Sequence, residues 1–162
     1  MASLVLANHA ANGILCLSSN INIDNLSMEF LRKTHQQNMK DIGGLAKASR
    51  FFALITKFFR PSIDFNIYVA RKENDKIAVL LLFYFNQTVE YFTPVVVHEN
   101  RPDQPLAGII FEAMSDAINR GYRWWTGEGR GQHKRECINL RKNGPLLKRG
   151  ALKKDMEPLK SY

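Results

Sequence analysis

The chain has 162 residues, 45% of them hydrophobic, and a formal charge of +8. That length suits one domain burying about two thirds of its unfolded surface, and the apolar content excludes a wholly disordered chain. No run of about 20 apolar residues is present, so no helical membrane span is expected.

The first residues lack the basic region, apolar block and small-residue cleavage site of a secretory signal, which makes the cytoplasm the expected location. Cys16 and Cys137 do not form a metal-ligand spacing and read as separate thiols. The charge is unevenly spread. Residues 130–162 hold ten Lys and Arg against three Asp and Glu, whereas residues 1–129 hold thirteen against twelve. Such a field attracts RNA, a nucleotide phosphate or an anionic membrane, and equally fits a solvated basic tail. The division expected is a core over 1–126 and a basic segment over 127–162, packed on the core or mediating association.

In chain order, Ile14–Ser18 fits a short strand. Asp24, Asn25 and Ser27 offer helix caps, and a helix runs from Ser27 to about Lys40. Its apolar positions, Phe30, Leu31 and Met39, are sparse, which places it on the outside of a sheet or along a groove. His35 within it reads as a polar surface residue or a cap, with catalysis the lesser reading. Gly43 and Gly44 break this helix. Ser49 is positioned to cap a second one, whose Phe51, Phe52, Leu54, Ile55, Phe58 and Phe59 form a wide apolar surface ended by Pro61. That surface packs on a sheet, with part of it available to a partner or an acyl chain.

Three strands follow: Phe65–Ala70, Ile77–Phe85 and Val89–Val97. Turns at Asn74–Asp75 and Asn86–Gln87 make them antiparallel neighbours. Ile77–Phe85 is almost wholly apolar, as a strand covered on both faces must be. From Leu106 the period changes to a helical stripe of Leu106, Ile109, Ile110, Ala113, Met114, Ala117 and Ile118. Gly121 ends that helix, and Tyr122–Thr126 returns to the sheet. The fold class is α/β (α+β): a mixed, mostly antiparallel sheet flanked by helices. Walker, dinucleotide-loop, HExxH and nucleophile-elbow motifs are absent.

Candidate chemistry gathers where the third strand turns into the last helix. Pro105 suits the first helical position, and amides beyond it can receive a phosphate, carboxylate or oxyanion. Arg101 offers charge and directed hydrogen bonds, or a surface ion pair. Asp103 reads as a helix cap, and no metal site is expected. His98 and Glu99 lie next to each other at a strand end, where successive side chains face opposite ways. Glu90 interrupts an apolar run, facing a cleft or marking an edge. Trp124 and Trp125 anchor the last strand or border an acceptor cleft. Gly127, Gly129 and Gly131 form an anion-binding turn or an exit to the tail.

The stretches Met28–His35, Arg50–Phe52, Phe65–Arg71, Ile77–Phe85, Glu90–Pro94, Pro105–Gly108 and Ala117–Trp125 together resemble the GNAT acyltransferase superfamily over about residues 25–126. More narrowly they resemble its FemAB-like branch, which includes peptidoglycan aminoacyltransferases. The resemblance implies a GNAT-like sheet whose two central strands splay apart, an acyl donor in the opening and an amine acceptor approaching it. The family's coenzyme A loop, Q/R-x-x-G-x-G/A, falls on Arg101-Pro-Asp-Gln-Pro-Leu-Ala107. Arg101 and Ala107 stand at its ends, while Gln104 and Leu106 replace small residues.

The implied donors are acyl-coenzyme A and, in the FemAB-like branch, aminoacyl-tRNA. The implied acceptors are a small-molecule amine or a peptidoglycan precursor. The resemblance implies Glu90, His98 and Tyr122 as candidates to take or relay the proton. A backbone amide near Val95–Val97, with Val95 and Val97 the positions named, is the oxyanion donor it suggests, and Arg101, Gln104 and Ala107 are the donor-binding residues. It also implies a basic-aromatic helix after the Gly-rich turn, whose aromatic anchors are missing here. The rival readings are a nonenzymatic RNA- or protein-binding domain built on a transferase fold, and a homodimer in which an exposed sheet edge or the Phe-rich helix supplies a missing half.

Overall fold

A computed structural model describes residues 13–18, 25–128 and 135–141. Their order is β1 (Ile14–Ser18), α1 (Asn25–Asp41), α2 (Ser49–Phe58), β2 (Phe65–Lys72), β3 (Asp75–Phe85), β4 (Thr88–Val96), a 3₁₀ turn (His98–Asp103), α3 (Pro105–Asn119), β5 (Trp124–Glu128) and β6 (Arg135–Asn139). The six strands form one sheet in sequence order, β1-β2-β3-β4-β5-β6. Every neighbouring pair is antiparallel except β4 and β5, which are parallel. This is the mixed, mostly antiparallel sheet that the sequence predicts.

The centre of the sheet explains the unbroken apolar run in β3. Ile77, Ala78, Val79, Leu80, Leu81 and Leu82 are all buried. Alternate side chains point to opposite faces, and both faces are covered. Leu80, Leu82 and Tyr84 meet Ile109, Ala113, Met114 and Ala117 of α3. Val79 and Leu81 meet Met28 and Leu31 of α1 and Phe52 and Ile55 of α2. The α3 stripe thus packs on one face and the α1–α2 pair on the other. The β2–β3 and β3–β4 turns pass through Glu73 (φ 55°) and Asn86 (φ 56°). Asn is tolerated in that left-handed region because its short polar side chain bonds locally.

Three local expectations are corrected. Ser49 does not cap α2. The cap position is Ala48, with no side-chain hydrogen bond, and the Ser49 hydroxyl instead accepts from Arg32 at 3.2 Å. Asp103 does not cap α3, whose cap is Gln104, because Lys72 Nζ holds its carboxylate at 3.0 Å. His35 is not on the surface. It is 7% exposed, sits edge-on to Phe52, and its Nε2 accepts the Lys47 backbone N–H at 3.1 Å. Among the described residues, the segment after the Gly-rich turn begins as a strand and not as the implied helix. Arg135–Asn139 is a strand paired with β5, and Leu140 beyond it is fully buried. Gly129 and Gly131 lie outside the described residues, as do Asp24 and most of the basic tail.

Burial, and to a lesser degree the Lys47 ammonium, hold the His35 imidazole below its ordinary pKa. The folded chain therefore keeps the ring neutral while the unfolded chain protonates it near pH 6.5. Stability from this site is complete above about pH 6.5 and drains away as pH falls below it. Melting temperatures measured from pH 7.5 to 5.5 should show a smaller loss in His35→Gln than in the native chain. Gln keeps an acceptor for Lys47 but does not titrate.

Candidate active site

The site is built by an incomplete strand pair. β4 and β5 pair only at Thr88↔Trp124, Val89↔Trp125 and Glu90↔Thr126. β4 then continues to Val96 alongside β3, and β5 turns its other side to β6. A fork opens beyond Glu90 and Thr126. At its apex β4 carries a bulge: Leu82 faces Tyr91 and Leu81 faces Thr93, so Phe92 is an extra residue. Bulges bend and twist a strand, and this one lies where β4 leaves β5.

The backbone of the open edge follows from the ladder. Val97 N–H donates to Ile77 O at 2.9 Å, and Val95 faces Val79 two residues back. Antiparallel pairing alternates inward and outward groups, so the Val95 and Val97 amides are turned to β3 and away from the fork. Val96 faces outward, and its carbonyl accepts Asn38 Nδ2 of α1 at 3.1 Å. Pro94, also outward, has no N–H. The amide available to the fork from this end of β4 is therefore that of Val96, the middle residue of the Val95–Val97 stretch, and not those of Val95 and Val97 named from sequence. Alternation outward from the Ile77–Val97 pairing is the signal that finds it.

Glu90 lies at the apex. It shares the α1–α2 face with Phe83, its partner on β3, and its Oε2 accepts the Thr126 hydroxyl at 2.5 Å. Thr126 in turn faces Cys137 on β6, whose thiol burial pushes above its usual pKa. His98 and Glu99 stand at the mouth, past the end of β4. They line a cavity of about 710 Å³ between the 3₁₀ turn and α1, together with Phe30, Lys33, Thr34, Gln37, Asn38 and Asp41. The polar face of α1 thus forms a groove wall. Arg101 is exposed above it and donates from Nη2 to Asn38 Oδ1 at 3.3 Å.

The turn into α3 offers fewer free amides than its place suggests. Gln104 takes a left-handed conformation (φ 50°). Its N–H donates to Arg101 O at 3.1 Å, and Ala107 N–H donates to Gln104 O at 3.0 Å. Pro102 and Pro105 have none. Among the described residues, Leu106 is left as the first-turn amide of α3 without a hydrogen bond to the chain. An anion here would rest on that amide and on Arg101.

Tyr122 lies at the other end of the sheet. It precedes Trp124, which pairs with Thr88, and eight residues of β4, roughly 26 Å at ~3.3 Å each, separate Thr88 from Val96. Its ring stacks on Tyr84 at 5.0 Å, and the Arg120 guanidinium lies over Tyr84 at 4.2 Å and over Tyr122 at 5.3 Å. Beneath them the Tyr68 hydroxyl donates to Asp116 Oδ2 at 2.7 Å, with the Tyr84 hydroxyl 3.3 Å away. Burial raises the Tyr68 phenol well above its ordinary pKa and raises that of Tyr84 as well. The cluster fastens the C-terminal end of α3 to the sheet. Glu90 and the open edge of β4 are thus brought together, His98 and Arg101 stand at the mouth, and Tyr122 is apart from them.

No protein-family model matches the chain, and no curated protein matches it in sequence. Its architecture is shared with solved acetyltransferases. An IAA acetyltransferase from Bacillus cereus superposes with a TM-score of 0.52 at 14% identity, over 70% of this chain and 64% of that one, just under two thirds of its length. A GNAT-family acetyltransferase from Staphylococcus aureus gives 0.59 at 9% identity, over 72% and 73%. A spermidine N-acetyltransferase from Vibrio cholerae, solved with CoA and spermine, gives 0.54 at 10% identity, over 71% and 70%. The chain has the fold of the GNAT acetyltransferases.

Tyr122→Phe keeps the stack on Tyr84 and the contact with Arg120, so its unfolding free energy should stay within about 0.5 kcal/mol of native. Tyr122→Ala loses both and should cost about 1–2 kcal/mol. Chemical denaturation of the two variants tests this anchoring role; a relay role would instead show as turnover lost in Tyr122→Phe.

Proposed function

We propose that this chain is an N-acyltransferase, moving an acyl or aminoacyl group from an activated carrier to an amine. The observation that carries the reading is the fork: a parallel pair that parts after three residues, with a bulge and a carboxylate at its apex. A strand edge that no described strand pairs can hold an extended donor arm by backbone hydrogen bonds, with its acyl carbon delivered toward Glu90. An uncharged amine attacks that carbon, the new C–N bond forms, and the carrier leaves as a thiolate or ribose alkoxide that takes up a proton. Backbone N–H groups of the open edge stabilise the oxyanion. Glu90, oriented by Thr126, accepts the proton lost by the amine. His98 at the mouth is the second candidate for that role, and the α1 groove beside it receives the acceptor.

The carrier bears phosphate in either form considered, acyl-coenzyme A or aminoacyl-tRNA. The coenzyme A complex of the Vibrio cholerae relative supports the first. The two prolines and the engaged Gln104 and Ala107 amides make a poorer pyrophosphate cradle, and with the basic tail they support the second, in keeping with a FemAB-like acceptor such as a peptidoglycan precursor. The same poor cradle is what favours a nonenzymatic RNA- or protein-binding domain as the rival reading.

Calorimetric titration with acetyl-coenzyme A at low and moderate salt tests the donor. Saturable binding that survives moderate salt supports coenzyme A chemistry. Binding of aminoacyl-tRNA with aminoacyl transfer supports the FemAB-like form. RNA binding without transfer, or binding of neither donor, would overturn the transferase reading. In an active preparation Glu90→Gln should lower turnover by about 10²-fold or more with donor affinity unchanged. An unchanged turnover would remove Glu90 from the mechanism.

A further inference from the structure

The end of the sheet opposite the fork mouth carries the densest exposed apolar surface among the described residues. Phe58 is 68% exposed, Phe85 83%, Ile63 55% and Phe59 44%. They come from the end of α2, the turn after it and the end of β3, and the structure draws these segments together. Phe59 packs edge-on against Phe83 at 5.2 Å. Phe85 lies two residues further along β3 and so on the same face. Tyr84 N–H donates to Asp64 O at 2.8 Å, which seats the 60–64 turn against β3. Leaving rings of this size in water is unfavourable, yet no described residue covers Phe58 or Phe85. A patch of this kind marks a binding surface.

The charge around it is one-sided. Lys57 lies over the Phe58 ring at 5.3 Å and Arg123 over Trp124 at 5.2 Å. Arg123 N–H donates to Gln87 O at 2.8 Å, which ties it to the β3–β4 turn. Arg120 reaches across to Ser62 O at 2.6 Å. The neighbouring carboxylates are engaged. Asp64 is held by Arg60, which brings its pKa down to about 2, and Asp116 is bonded by Tyr68 and Arg120; Glu90 keeps its charge but belongs to the fork apex, bonded to Thr126.

We propose that this end of the molecule docks on an anionic lipid surface, with Phe58, Phe59, Ile63 and Phe85 entering the headgroup–acyl boundary and Lys57 and Arg123 meeting lipid phosphates. Aromatic and aliphatic tips ringed by cations are what such an interface selects. A second copy of the chain fits less well, because a two-fold contact would set this cationic rim against itself. A nucleic acid also fits less well. Base stacking needs a series of open ring faces, but the Lys57 ammonium occupies one face of Phe58 and Ile63 has no ring, which leaves Phe85 as the freely exposed one. The proposal stands independently of the transferase reading, since it uses the opposite end of the sheet.

The test is co-sedimentation of the full chain with vesicles of phosphatidylcholine alone and with about one third phosphatidylserine, at about 0.1 M salt. The expected result is binding to the anionic vesicles only, weakened by about tenfold or more in Phe58→Ser/Phe85→Ser. Both positions are exposed, so circular dichroism should confirm an unchanged fold. The double variant keeps the basic tail. Equal binding by native and variant chains would therefore assign the attraction to other cations and overturn the proposal. It is also overturned if anionic vesicles do not bind, if poly(U) binds and vesicles do not, or if the patch instead holds a dimer that the double variant dissociates.

Discussion

The rest of the molecule depends on the parallel contact between β4 and β5 being kept to three residues. A parallel neighbour requires a crossover, and α3 provides it, packing its Ile109–Ala113–Ala117 stripe on Leu80, Leu82 and Tyr84. The helix fixes where β5 starts, and the Tyr68–Asp116–Arg120 cluster fixes where the helix ends. With β5 anchored at Trp124, and Trp125 buried beneath α3, the bulge at Phe92 carries the remainder of β4 away. The fork is thus a result of packing at one end and backbone irregularity in the middle. Its edge is the stretch of central sheet whose hydrogen-bonding groups another molecule can use.

Most of this architecture is legible in the sequence because its causes are local. Ile77–Leu82 is uniformly apolar because both faces of β3 are covered. The change of period at Leu106 announces the crossover, and Gly121 (φ 83°) closes it in the left-handed turn that glycine permits. The resemblance carried by Glu90–Pro94 and Ala117–Trp125 already implied the opening. What stayed hidden depends on register and tertiary packing. Nothing in Tyr91-Phe-Thr-Pro94 says that Phe92 is the extra residue, so the inward direction of the Val95 and Val97 amides and the outward direction of Val96 emerge only with the ladder. His35 looks like any polar residue on a sparse helix until Lys47 and Phe52 close over it.

The candidate site was legible in outline and misjudged in grouping. Glu90 stands out as one charge in an apolar strand, and His98 and Arg101 follow from their place before a helix. Tyr122, just before β5, is near them only in the sequence-based reading of the cleft. But β4 and β5 are parallel, so the start of β5 lies beside the start of β4 and a strand's length from its finish. Sequence distance is a poor guide across a parallel crossover. The caps at Ser49 and Asp103 failed for another reason: each side chain found a charged partner distant in sequence, Arg32 and Lys72, that outcompetes a local amide.

The same three-residue contact sets an order of assembly. β2, β3 and β4 are joined by two tight turns and can zip together through contacts close in sequence, whereas β4 and β5 meet only after the whole α3 crossover has folded back, a closure that costs more chain entropy and is rewarded by few hydrogen bonds. The meander is therefore the durable part of the fold. The β4–β5 contact, with three paired residues, is the shorter seam, and local opening there leaves the β3 core intact. A cleft of this kind parts at low cost beside a scaffold that does not yield, so it can widen without the protein unfolding.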